Sequence, residues 1–109
     1  HLLKHGVSKS HIVKEQVNSI SIKTLLSKYS LNNLDLLMID AESYDGEIAI
    51  DFLTNSLFRP IIIFEFIHIR HDTFKKLINL LNSKNLNYFK MEENIICLPK
   101  EFIDIHKIF

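Results

Sequence analysis

Apolar residues along this chain change their spacing several times, and each change marks an element. Ser21 stands at an N-cap position, and Ile22, Leu25, Leu26 and Tyr29 follow it with helical spacing. Asn32-Asn33 supplies a turn. Residues 34–39 form a nearly continuous apolar run, the pattern of a strand buried on both faces. The run stops at the polar block Asp40-Ala41-Glu42-Ser43-Tyr44-Asp45-Gly46. With Asp45 as its cap, a helix over 46–55 lines up Ile48, Ala49, Phe52 and Leu53 on one stripe. Arg59-Pro60 opens the strongest strand, 61–66. Asp72 caps a second amphipathic helix carrying Phe74, Leu77, Ile78 and Leu81, with Asn85 as its stop. Two short strands, 87–91 and 94–98, are joined by a turn at Glu92-Glu93.

The ends are less patterned. Residues 1–16 hold His1, His5 and His11 with little periodic apolar signal, and are expected to be a poorly anchored segment. Residues 17–20 read as the end of a short strand. Residues 99–109 form a tail that alternates apolar and charged residues without an assigned element.

Strands alternating with helices predict an α/β fold, its first two strands parallel through crossover helices. The last two strands are too close for a crossover and predict an antiparallel hairpin at one edge. This is half of an open sheet, and its first strand lacks a neighbour on one side.

Composition narrows the function classes. Hydrophobic residues make up 47% and charged residues 24% of the chain, a globular mixture. Thirteen basic residues cancel thirteen acidic ones, so no net field draws the chain to nucleic acid or anionic lipid. The apolar runs are far shorter than the ~20 residues a membrane span requires. Single Cys97 cannot form an internal disulfide, which fits a reducing compartment and an expected cytoplasmic setting. The chain begins with His, so it is expected to be a piece of a longer protein. Its only glycines, Gly6 and Gly46, leave no glycine-rich phosphate or dinucleotide loop within it.

In open α/β sheets, ligands bind beyond the carboxyl ends of the strands. Those ends carry Asp40, Glu42 and Tyr44 after one strand, and Glu65, His68 and His71 after the next. Asp40 has two readings: a carboxylate that orients or deprotonates a hydroxyl, or one that accepts free backbone amides where the next helix begins. Glu65 interrupts an apolar run, and a buried carboxylate there requires a partner. Glu65, His68 and His71 also contain metal-ligand types with His-x-x-His spacing, a third reading of the same loop. Cys97, flanked by Ile96 and Leu98, reads as a small core residue.

Residues 34–45 resemble the "I-D-L-L-K-I-D-x-E-G-Y-E/D" block of FkbM-type methyltransferases, with Ser43 in place of the glycine. Residues 20–26 are similar to that family's "T-L-D-D-L" segment, with Lys23 and Thr24 replacing the acidic pair. Arg59-Pro60-Ile61-Ile62-Ile63-Phe64-Glu65 followed by His68 resembles its "K-P-x-I-I-x-x-E-x-x-H" strand. The resemblance covers residues 17–98. It implies a Rossmann-like, S-adenosylmethionine-dependent enzyme that methylates hydroxyls of sugars or other secondary metabolites by in-line attack on the sulfonium methyl group. The strands ending at Asp40 and Glu65 would be the fourth and fifth of seven, and the hairpin the sixth and seventh. Asp40 and Glu65 are the expected catalytic residues, and Glu42, Tyr44 and His68 the expected acceptor-binding ones. The family's cofactor loop belongs after a first strand that this chain lacks, so the chain alone is expected to be inactive. The alternative is a non-enzymatic interaction module that pairs with a partner, or with itself, through an exposed sheet edge.

Overall fold

A computed structural model describes residues 13–102. Its elements are α1 (Ile22–Lys28), β1 (Leu36–Ile39), α2 (Asp45–Asn55), β2 (Ile61–Glu65), α3 (His71–Ser83), β3 (Leu86–Met91) and β4 (Asn94–Pro99). They build an α/β fold on one four-stranded mixed sheet of order β1-β2-β4-β3. β1 and β2 are parallel, and β4 runs antiparallel to both β2 and β3. The last strand thus lies between its two predecessors, where Ile62 faces Cys97 and Phe64 faces Ile95.

Local chemistry accounts for most boundaries. The Ser21 side chain accepts from Thr24 N at 3.1 Å and caps α1 as its spacing predicts. α3 ends with Asn85 at φ 57°, the left-handed stop that asparagine tolerates. The hairpin turns at Glu92-Glu93 between paired Met91 and Asn94, with Glu92 at φ 56°. Gly46 is required by packing, because a Cβ there would lie 2.9 Å from Thr73 Cγ2 and 3.0 Å from Ile69 Cγ2.

The core lies between one sheet face and the helices. Ile39, Ile62, Phe64, Ile95 and Cys97 from the sheet meet Ala49, Phe52 and Leu53 of α2 and Leu77 and Leu81 of α3. Ile22 and Leu26 of α1 pack against the same cluster. Burial pushes the Cys97 thiol up to about 12, so it stays protonated at neutral pH and acts as an inert core group.

Four expectations change. Residues 34–39 do not make a strand buried on both faces: Leu36 and Met38 are 49% and 65% exposed, because the helices cover only the other face. Residues 17–20 have no regular structure, since among the described residues no strand offers them a ladder partner. Asp45 and Asp72 do not cap their helices, which start from Tyr44 and Arg70 with no side-chain cap bond. The Asp45 carboxylate is engaged elsewhere, and Asp72 sits in the first turn, where a negative charge suits the helix dipole. Residues 1–12 and 103–109, and so most of the two expected terminal segments, lie outside the described residues. Among the described residues no helix is long and apolar enough to cross a membrane.

Candidate functional site

The carboxyl ends of β1 and β2 lie side by side, since the parallel register pairs Ile39 with Phe64. The next residues, Asp40 and Glu65, therefore follow directly on neighbouring strand ends. Both side chains are accessible: Asp40 is exposed and the Glu65 side chain is 37% exposed.

Beyond Asp40 the chain makes a tight turn in which Tyr44 N donates to Ala41 O at 3.1 Å. Its central residues, Glu42 and Ser43, have φ of 45° and 78°, the sign pattern of a type I′ turn. That conformation is strained for any residue with a Cβ, and Ser43 stands where the resembled block has glycine. The turn carries the chain back beneath the strand ends, where Asp45 is buried. Its Oδ1 accepts from Ala41 N at 3.1 Å and its Oδ2 from Glu65 N at 3.2 Å.

Tyr44 is exposed and lines a cleft of about 460 Å³ with Ser19, Ser21, Glu47 and Asp51. Glu47 Oε2 is buried and has no hydrogen-bond partner among the described residues. Asp40, Glu42, Glu65 and His68 are not among the walls of this cleft. Asp40, Glu42, Glu65 and His68 thus share one end of the sheet with Tyr44 but stand outside the cleft that Tyr44 lines.

Glu65 departs from its expectation of a buried, partner-seeking carboxylate. It is the last residue of β2 and water reaches it, because strand pairing stops one residue earlier than the apolar run suggests. His68 Nε2 lies 3.6 Å from Glu65 Oε1, an exposed pairing that holds the two loosely. His71 heads α3 instead and lines a separate cleft with Phe66, Ile67, Ile69 and Phe74. Among the described residues no group of three or more His, Cys, Asp or Glu side chains could hold a metal ion. Glu65, His68 and His71 therefore do not combine as a ligand set.

Two features escape sequence reading. One is Asp45, whose identity as an acid beside a helix start looks like an ordinary cap. The other is at the opposite end of the sheet, where Arg59 donates to both Glu101 carboxylate oxygens at 2.7 and 3.0 Å and to the carbonyls of Lys84 and Asn85. No family model matches the chain, and no curated protein or solved structure matches it either.

Proposed function

We propose that this chain is the C-terminal part of an FkbM-type, S-adenosylmethionine-dependent methyltransferase that acts on a hydroxyl of a sugar or other small molecule in the cytoplasm. The observation that carries the reading is the juxtaposition of Asp40 and Glu65, the two acids of the resembled motifs, at adjacent ends of parallel strands. Two further features support it. Ser43 adopts a left-handed conformation at the block's glycine position. The parallel pair also continues into an antiparallel hairpin, so that in the family's numbering the strands run fourth, fifth, seventh, sixth.

Among the described residues there is no glycine-rich loop of the kind the resembled family uses to hold its cofactor. Gly46 is the single glycine among the described residues, and the space beside its Cα is filled by Thr73 and Ile69. In this reading the chain supplies the acceptor side alone. Asp40 orients the hydroxyl or takes its proton with Glu65 beside it, while Glu42 and His68 hold the rest of the acceptor.

The test is transfer of an isotope-labelled methyl group from S-adenosylmethionine to a panel of sugars by the full polypeptide that carries this chain. Wild type is expected to transfer label, and Asp40→Asn to transfer it about 100-fold more slowly. A wild-type protein that transfers nothing overturns the reading; an Asp40→Asn rate within a few-fold removes Asp40 from the chemistry.

A second reading, an interaction module, is favoured by a different observation. Among the described residues β1 has no partner on its outer side, and Leu36, Met38, Phe89 and Met91 are exposed. A molar mass that rises with concentration in light scattering supports it, and a monomer at all concentrations counts against it.

A further inference from the structure

The ladder between β1 and β2 ends at Ile39 and Phe64, one residue short of the two candidate acids. On the side of β4, Glu65 is still held by its pairing with Asn94, and Phe66 N donates to Glu93 O at 3.0 Å. On the side of β1, the link beyond the ladder is Asp45. Its carboxylate is 1% exposed and accepts one amide from each strand's exit, Ala41 N at 3.1 Å and Glu65 N at 3.2 Å.

We propose that Asp45 is the positioning residue of the candidate site: it clamps the exit of β1 to the end of β2 and so sets the spacing of Asp40 and Glu65. The chemistry demands a carboxylate. Two backbone N–H groups approach one side chain, and only a carboxylate offers an acceptor oxygen to each; an amide of the same shape turns an NH₂ group toward one of them. The charge strengthens both bonds, and burial keeps water from replacing them. Length matters as well. The tight turn at Glu42-Ser43 brings Asp45 within reach of Ala41, four residues earlier, while α2, beginning at Asp45, anchors it to the core.

Asp45 itself touches no substrate in this arrangement, and its part in catalysis rests on the O-methylation reading. The clamp can be tested apart from it, on the ¹⁵N,¹³C-labelled chain. Through-hydrogen-bond correlations are expected from the amides of Ala41 and Glu65 to the Asp45 carboxyl carbon. In Asp45→Asn the same two amides are expected to exchange with solvent at least about 10-fold faster, while the amides of Phe64 and Cys97 keep their protection. Absence of both correlations in wild type, where those of the sheet ladder are seen, overturns the clamp, as does unchanged exchange at either amide in the variant. Should Asp45→Asn fail to fold, the wild-type correlations decide alone.

In the full polypeptide, Asp45→Asn is expected to lower kcat about 10- to 100-fold per folded molecule, with the acceptor KM within about twofold. A variant that loses only folded protein and keeps its kcat has a structural residue at 45, which overturns the positioning role. A wild type without methyl transfer overturns the O-methylation reading, and the amides then still decide whether the clamp exists.

Discussion

The two ends of β2 are held by opposite kinds of polar contact. At the carboxyl end a buried carboxylate, Asp45, takes two backbone amides from residues 4 and 20 positions away. At the amino end an exposed guanidinium, Arg59, grips Glu101 and the carbonyls of Lys84 and Asn85, just past α3, across separations of 25 to 42 residues. Burial decides which contact matters more. Water can replace either partner of the Arg59–Glu101 pair, whose side chains are 37% and 58% exposed, whereas Asp45, which accepts the two amides, is buried. The contact at the amino end is thereby the cheaper one to lose, and the contact at the carboxyl end, where the candidate acids lie, the costlier.

The sharpest way to break this comparison is to remove the two holders in turn. Asp45→Ala orphans two amides in a buried site and is expected to destabilise the fold by about 3 kcal/mol, measured by urea denaturation. Arg59→Ala is expected to cost well under half of that, and equal losses would erase the distinction.

A smaller effect of opposite sign tests the carboxyl end alone. Ser43 pays for its φ of 78° in strain, so Ser43→Gly is expected to raise stability by about 0.5–1 kcal/mol, seen as a higher melting temperature. A lower melting temperature would mean that the serine side chain contributes more than its strained backbone loses.

The smallest effect belongs to the amino end and depends on pH. The Arg59 hydrogen bonds hold the Glu101 carboxyl down at about 2, against an ordinary 4.5. A carboxylate depressed in the folded state stabilises above its unfolded value and loses that stabilisation as pH falls through the folded one. A slight decline in stability is therefore expected between pH 4.5 and 2, present in wild type and absent in Glu101→Gln. Its size should shrink further in high salt, since both side chains face solvent.

Much of this was legible along the chain. The Ser21 cap, the stripe of Ile48, Ala49, Phe52 and Leu53, the stop at Asn85 and the turn at Glu92-Glu93 are all short-range patterns, and each forms where its spacing indicates. The candidate acids were legible for a related reason: Asp40 ends one apolar run and Glu65 interrupts the next, and parallel strands bring the two together. Asp45 was not legible in its working role, because an acid preceding a helical stripe has a sufficient local explanation as a cap. Leu36 and Met38 misled in the other direction, since an apolar run records what a strand can bury and not what covers it.

The sequence by itself determined the order of elements, their approximate limits and the polar character of one end of the sheet, because these depend on contacts between residues a few positions apart. Only the tertiary structure decided that β4 lies between β2 and β3, that the described helices cover one sheet face alone, that Arg59 reaches Glu101 and that Asp45 joins two strand ends. Each of those depends on which distant segments meet. A backbone amide at Ala41 or Glu65 is the same group in every sequence, and what it meets follows from the path of the whole chain.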